Sequence, residues 1–296
     1  MRLTWLGKKR IPSLDGFASK FRSEGRPDFL CIGAQKAGTS WLYCQLDSHP
    51  EFWMPPVKEL QYFDQMCCCR HPDRSRWGKI AFRDQRDKAF LAAMEALCST
   101  PFIERERYAQ LFAPKEELLS GDITPRYSTL PEEIIALMMS FFPHLKIVFI
   151  ARDPVERAWS AINLGVKDGG LSPFDVSDRN VASKRLLHPD IIVHSFPSMT
   201  VARWRRHVPE EQMRVYFFDD LQSRPAALRA EIIQFLGGDP SKAKVKPTAK
   251  VNEDKSKLPL SAELQTHIAQ FFARELRTCA RYLGGRAAEW PARYGL

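Results

Sequence analysis

The sequence predicts an α/β fold: a single domain with a central, mainly parallel sheet flanked by helices, carrying a P-loop-like nucleotide site. Three observations carry this expectation. Apolar runs of strand length, bounded by breakers, alternate with segments of helical periodicity, the pattern of a parallel sheet covered on both faces. The run Phe29–Gly33 leads into a small-residue loop with a single lysine, Lys36, and then into a helix that starts at Thr39. A second run, Lys146–Ala151, passes through Arg152 and Asp153 into a helix opened by Pro154.

Residues 1–27 read as a poorly ordered lead-in and 28–296 as the folded domain. Phe29–Gly33 is apolar and ends on glycine, as a buried strand entering a turn does. Thr39–Asp47 follows as a helix; His49, before Pro50, closes it and is read as structural. Phe52–Met54 is a short apolar run and a second strand candidate, and a further strand is expected near Leu118–Gly121. Between them, from Asp64 to Tyr108, the chain is charged and weakly periodic, which suggests a helical insertion beside a cleft. Glu132–Phe142 begins after Pro131, a residue suited to a first helical turn. Lys146–Ala151 is the third strand, and Pro154–Leu164 a helix with Asp153 as its N-cap. Met213–Phe218 is the fourth. Ala226–Leu236 stops at Gly237-Gly238, a helix-ending pair, and Ser261–Leu283 reads as one long periodic helix. Ligands of such sheets sit at the carboxyl ends of the strands, so the loops after Gly33 and Ala151 are the first places to look.

The chain has 296 residues and a formal net charge of +9. That balance favours anionic partners such as nucleotides and sulfated or phosphorylated substrates. None of the nucleic-acid-reading motifs is present, so nucleic acid is not expected as a partner. The longest apolar stretch, near Ile134 to Phe142, is too short to span a bilayer, and the N-terminus has no apolar core of signal-peptide length. A soluble, cytoplasmic protein without stable membrane insertion is expected. Seven cysteines are present, an odd number without disulfide-like spacing. Cys67-Cys68-Cys69 and His71 lack the paired spacing of a tetrahedral zinc site and read as reduced thiols in a loop.

Two segments carry chemistry. The spacing Gly33-x4-Gly38 mimics the triphosphatase loop G-x-x-x-x-G-K-[ST], but the lysine precedes the second glycine and Thr39-Ser40 follow it directly. Backbone N–H groups and the helix N-terminus favour an anion there, while the displaced Lys36 points away from Mg-ATP. In the second segment Arg152 leaves a strand end and Ser160 lies about two helical turns along, so that a guanidinium fork and a hydroxyl can share one phosphate.

With both segments in hand, the chain resembles the sulfotransferases that use 3′-phosphoadenosine 5′-phosphosulfate (PAPS), and is most similar to their carbohydrate, heparan-type branch and its bacterial relatives. The resemblance runs from Phe29 to about Leu283. It implies that Lys36, Ala37, Gly38, Thr39 and Ser40 hold the 5′-phosphosulfate and that Arg152 and Ser160 hold the 3′-phosphate. Lys58-Glu59-Leu60-Gln61-Tyr62-Phe63 is similar to the family's Lys-Glu-x-x-Phe-Phe stretch, which implies Glu59 as the base. Gly121-Asp122-Ile123-Thr124-Pro125-Arg126-Tyr127 is similar to an acceptor-side segment, which implies Thr124 and Tyr127 at the acceptor; Lys58, beside Glu59, is expected there too. Val251–Pro259 is similar to a basic loop over the nucleotide, which implies Lys255, Ser256 and Lys257 as donor contacts. Leu221 falls where the family has its Tyr-Glu-Asp-Leu strand end. Ile123 stands where many heparan-type enzymes have lysine, and Ser195-Phe196-Pro197 replaces a Gly-x-Tyr stretch; both departures concern the acceptor pocket.

The chemistry suits these residue types. In sulfuryl transfer negative charge builds on the oxygen between phosphorus and sulfur, where Lys36 and the loop N–H groups would stabilise it. A hydroxyl acceptor, small molecule or glycan, loses its proton as it attacks, and Glu59 would take it. Asp64 and Asp122 are the alternative bases; Asp122 is read rather as orienting the segment before Pro125. Lys58 faces an anion of substrate or solvent. No metal is required. Two other readings stay open from residues alone: a P-loop small-molecule kinase using Mg-ATP, and a non-catalytic nucleotide-binding module on the same fold.

Overall fold

The computed structural model describes residues 25–66, 82–97, 103–248 and 258–296. Residues 1–24, which hold most of the expected lead-in, and Cys67–Cys69 lie outside them. Strands β1 (Phe29–Cys31), β2 (Gly121–Ile123), β3 (Lys146–Ala151) and β4 (Met213–Phe217) form one four-stranded sheet in the order β2-β1-β3-β4. Every pairing is parallel, with Phe29 opposite Gly121 on one side and Lys146 on the other, and Ile147 opposite Met213. The helices are α1 (Thr39–Asp47), α2 (Tyr62–Met66), α3 (Gln85–Leu97), α4 (Arg105–Gln110), α5 (Glu132–Phe141), α6 (Pro154–Lys167), α7 (Arg179–Leu186), α8 (Pro189–Ile192), α9 (Pro197–Arg205), α10 (Phe218–Ser223), α11 (Pro225–Leu236), α12 (Ala262–Phe271) and α13 (Ala273–Tyr282).

Burial explains the strand patterns. β1 is buried at every position and β3 at all but its first, as expected of strands with neighbours on both edges and cover on both faces. β4 lies at the sheet edge and alternates more, with Arg214 exposed. The sheet and its helices share one apolar cluster that includes Phe29, Ile147, Phe149, Trp204 and Trp290.

Several element boundaries differ from the sequence reading; β1 stops at Cys31, short of Gly33, and α6 runs past Leu164 to Lys167. Phe52–Met54 makes only a single bridge, Phe52 to Leu119, with Trp53 N donating to Leu119 O at 2.9 Å. Pro55 and Pro56 follow at once and have no N–H to continue a ladder. The neighbouring strand is displaced toward the C-terminus, to Gly121–Ile123, because Leu119 is used by that bridge and the ladder with β1 opens at Gly121. β4 stops at Phe217, and Phe218 already opens α10. The helix expected over 261–283 divides at Phe272, whose buried ring packs edge-on to Phe196 and Phe271 at 6.0 and 4.9 Å. Between Asp64 and Tyr108 the described residues are largely helical, in α2, α3 and α4.

Punctuation residues behave as their chemistry dictates. Asp153 caps α6 by accepting from Val155 N at 2.9 Å, with Pro154 at the first helical position. At the end of α11, Gly237 adopts φ 104°, and Gly238 N donates to Ile233 O at 2.9 Å, a left-handed stop that favours glycine. His49 is buried, its Nε2 lying 2.9 Å from Asp239 O, which ties the end of α1 to the segment after α11.

Candidate active site

The phosphate-type loop leaves the carboxyl end of β1. Ala34 N donates to Ile150 O at 2.9 Å and Ile150 N to Gly33 O at 2.8 Å, so the loop is stitched to β3 at its start. Its far end is Gly38, with φ 86°, as the N-cap of α1. That conformation favours glycine, and a Cβ there would have to displace the end of the Leu221 side chain, whose Cδ2 would lie 2.4 Å away. Lys36 also adopts a positive φ, 69°, which is uncommon for a residue with a side chain and concentrates at functional loops. Thr39 is buried at the helix start, while Lys36 and Ser40 are half-buried.

Arg152, at the carboxyl end of β3, reaches this loop directly. Its Nη1 donates to the Lys36 carbonyl oxygen at 2.6 Å, its guanidinium lies 4.1 Å from the centre of the Phe218 ring, and Nη2 meets Glu156 Oε2 at 3.3 Å. Nε is buried and makes no hydrogen bond among the described residues. Burial, only partly offset by Glu156, lowers the Arg152 pKa. An arginine with an unused buried donor, beside a loop of N–H groups, is a ready anion contact. Ser160 is half-buried on the same helix, α6, that Arg152 precedes.

The third segment, Lys58–Tyr62, lies over the end of β2. Lys58 Nζ and Glu59 Oε1 are 2.5 Å apart, and Gln61 Nε2 donates to Glu59 Oε2 at 3.5 Å. Glu59 and Gln61 both have positive φ, 64° and 54°, so this backbone is held in an unfavourable shape. What holds it is a buried polar platform below. Leu60 N donates to Asp122 Oδ1 at 3.4 Å, Gln61 N to Thr124 Oγ1 at 3.3 Å, and Tyr62 N to Tyr127 OH at 3.1 Å. Asp122 gathers the platform, accepting from Thr124 Oγ1 at 2.7 Å, Tyr127 OH at 2.8 Å and Tyr108 OH at 3.1 Å. Burial pushes the Asp122 carboxyl up, and these donors pull it back. Thr124 and Tyr127 are themselves fully buried, with their hydroxyls turned to Asp122 and to the Gln61–Tyr62 backbone. Asp64 stands beside Arg126 at 3.2 Å, and burial raises its pKa to about 6.

Because all of Asp122's partners are donors, Asp122→Asn is expected to strand hydroxyl protons and destabilise the fold by about 2–4 kcal/mol. Chemical denaturation checks this; a loss below about 0.5 kcal/mol would show that the platform holds nothing.

Lys255, Ser256 and Lys257 lie outside the described residues, but both flanks of their segment are placed. On one side Trp41 Nε1 of α1 donates to Pro247 O at 2.8 Å and Gln45 Nε2 to Lys246 O at 3.3 Å. On the other, Leu258 N donates to Asn163 Oδ1 of α6 at 2.6 Å and Trp159 Nε1 to Leu258 O at 3.3 Å. The flanks are thus tied to the two helices that begin at the two phosphate-type motifs.

The sequence reading missed Arg157, which is 1% exposed on α6, and the Phe218 ring under Arg152. Nothing local marks either: an arginine in a helix turn reads as solvent-facing, and its burial comes with α8 and the turn after it, where Ile191 and Ser195 take its hydrogen bonds. Among the described residues no cluster of three His, Cys, Asp or Glu side chains is arranged to hold a metal ion, and no helix is long and apolar enough to cross a membrane.

Comparison with known proteins agrees with this geometry. A model described as the sulfotransferase family matches residues 27–240. The human bifunctional heparan sulfate N-deacetylase/N-sulfotransferase 2 is 23% identical over 227 residues, 72% of this chain and 22% of that protein. A membrane-associated sulfotransferase, kil1, of Dictyostelium discoideum is 25% identical over 141 residues, 48% of this chain and 23% of that protein. The chain therefore spans less than a quarter of the length of these relatives. Among solved structures, a sulfotransferase from Alicyclobacillus acidocaldarius superposes with a TM-score of 0.61 at 21% identity, covering 90% of this chain and 98% of that one. The sulfotransferase domain of the Synechococcus PCC 7002 olefin synthase superposes with a TM-score of 0.51 at 16% identity, covering 85% and 96%. These two likenesses show the fold.

Proposed function

The chain belongs to the sulfotransferase family, and we propose that it moves a sulfuryl group from PAPS to an acceptor hydroxyl, with a carbohydrate or glycolipid as the acceptor class. The observation that carries this reading is the hydrogen bond from Arg152 Nη1 to the Lys36 carbonyl, which joins the two phosphate-type motifs at adjacent strand ends. Loop residues Lys36, Ala37, Gly38, Thr39 and Ser40 would then take the 5′-phosphosulfate. Arg152 and Ser160 would take the 3′-phosphate, and Lys255, Ser256 and Lys257, from the chain between α11 and α12, would meet the nucleotide. No metal enters this scheme.

In the transfer, the bond between sulfur and the bridging phosphate oxygen breaks as a new sulfur–oxygen bond forms to the acceptor. Lys36 would meet the charge left on the bridging oxygen, which belongs to the departing adenosine 3′,5′-bisphosphate. Glu59 accepts the acceptor's proton, and its orientation is fixed from below by Asp122, Thr124 and Tyr127. Lys58 keeps the carboxylate company until an acceptor enters. The glycan class is supported by similarity to the heparan sulfate enzyme.

The test is ligand-dependent melting. Adenosine 3′,5′-bisphosphate in the presence of EDTA is expected to raise the melting temperature by mass action; a rise only with Mg-ATP would overturn the donor assignment in favour of a kinase. Arg152→Ala is expected to weaken bisphosphate binding about 10–100-fold, the equivalent of a charged hydrogen bond. An unchanged dissociation constant by calorimetry would remove Arg152 from the 3′-phosphate. Transfer of labelled sulfuryl to a panel of glycans, against small-molecule alcohols and amines, tests the acceptor class.

A further inference from the structure

One buried charge has no role in the scheme above. Arg157, 1% exposed, lies in the first turns of α6, the helix that also carries Ser160. Its Nη2 donates to Ile191 O at 2.5 Å and Ser195 Oγ at 2.8 Å. Nε and Nη1 are buried and make no hydrogen bond, and no carboxylate pairs with the side chain among the described residues. Buried arginines are ordinarily neutralised by a carboxylate, because an uncompensated charge in the interior is costly.

The neighbouring groups do not cancel the charge. Arg152 is close enough to repel it, and together with burial this lowers the Arg157 pKa to about 9, still cationic at neutral pH. His194, whose Nδ1 lies 3.2 Å from Ser128 Oγ, is kept neutral: burial first, then Arg157 and Arg126, push its pKa down to about 3. Two guanidinium groups five residues apart therefore lie within electrostatic reach of each other at the start of α6, Arg152 reaching the phosphate-type loop and Arg157 sealed in protein. Fields from such a sealed charge are weakly screened by salt and water.

We propose that Arg157 is a positioning residue for the donor: an uncompensated buried cation, five residues along the chain from Arg152, that strengthens binding of the nucleotide's 3′-phosphate without touching it. The inference rests on the donor reading above. A plain packing strut between α6 and the α8–α9 region would explain the bonds to Ile191 and Ser195, but it would call for no charge and would not discriminate between nucleotides.

The test is calorimetric titration of Arg157→Gln and Arg157→Lys with adenosine 3′,5′-bisphosphate and with adenosine 5′-phosphate. Glutamine can keep a donor toward Ile191 and Ser195 while losing the charge; lysine keeps the charge. Arg157→Gln is expected to weaken the bisphosphate on the order of tenfold, and the 5′-phosphate by less than about threefold, since the field falls chiefly on the second phosphate. Arg157→Lys is expected to stay within about threefold of wild type for both. Without nucleotide, Arg157→Met is expected to melt at or above the wild-type temperature, because an unpaired buried charge has been exchanged for an apolar chain of similar length. Should that variant not fold, the Gln and Lys pair still decides. Equal bisphosphate affinity for Arg157→Gln and wild type would overturn the inference, as would equal losses for both nucleotides. Wild-type protein that binds neither nucleotide would instead remove the donor reading itself, and Arg157's role with it.

Discussion

Glu59→Gln is expected to lower kcat by about 10²–10⁴-fold, the usual worth of a positioned general base, while the dissociation constant for adenosine 3′,5′-bisphosphate stays within about twofold. The reasoning is local. Glutamine has nearly the same shape, so the backbone at φ 64° and the hydrogen bonds from Leu60, Gln61 and Tyr62 to the platform below have no reason to change. The lost ion pair with Lys58 is partly exposed, at 16% and 26% for the two side chains, and such pairs are worth about 0–1 kcal/mol. Stability should therefore hardly move. What the amide cannot do is accept a proton from an attacking hydroxyl. A variant with wild-type kcat in a sulfuryl-transfer assay would eliminate Glu59 as the base. Attention would then pass to Asp64, whose carboxyl burial raises to about 6 beside Arg126. Asp122 is a poor second, since its oxygens already accept from Leu60 N and three hydroxyls.

The outcome separates what a sequence can show from what only packing creates. β1 and β3 are legible because burial on both faces forces continuous apolar runs, and no polar alternation competes with that signal. The phosphate-type loop is legible because its glycines bracket a single lysine at a fixed spacing, and Gly38 takes φ 86°, a conformation glycine enters without strain. Boundaries were less so. Phe52–Met54 looked like a strand because its composition is apolar, yet the two prolines after it leave one bridge. Phe272 splits a helix without any glycine or proline, since the break is made by a buried ring packing on Phe196. In the site, Arg152 was marked by its place after a strand end, and Glu59 only by the resemblance of Lys58–Phe63 to the family's stretch. The fourfold use of Asp122, by contrast, brings Leu60 and Tyr108 from two distant stretches of chain to the Thr124 and Tyr127 hydroxyls of its own segment, and no local spacing encodes it. Arg157 is the extreme case, because its burial is decided by elements that come later in the sequence.

Lys36→Gly should abolish most activity without lowering stability, a combination that few substitutions offer. Lysine at φ 69° occupies a conformation that costs an L-residue roughly 1–2 kcal/mol, whereas glycine enters it freely and loses about 0.5–1 kcal/mol through its more mobile unfolded chain. The two terms nearly cancel, so the melting temperature should stay level or rise slightly. The Lys36 carbonyl, which receives Arg152 Nη1 at 2.6 Å, belongs to the backbone and survives the change, so the two motifs remain joined. The side chain is lost, its ammonium group with it. If it stabilises charge on the departing phosphate oxygen, kcat should fall by about 10²–10³-fold, as when one oxyanion donor is removed. Binding of adenosine 3′,5′-bisphosphate should weaken far less than the rate, because the charge on the bridging oxygen develops mainly in the transition state. A variant losing bisphosphate affinity as steeply as kcat would mean that Lys36 merely holds the nucleotide. One that kept full kcat would place the leaving-group stabilisation elsewhere. A drop in melting temperature of several degrees would show instead that the strained loop depends on the lysine side chain for its shape.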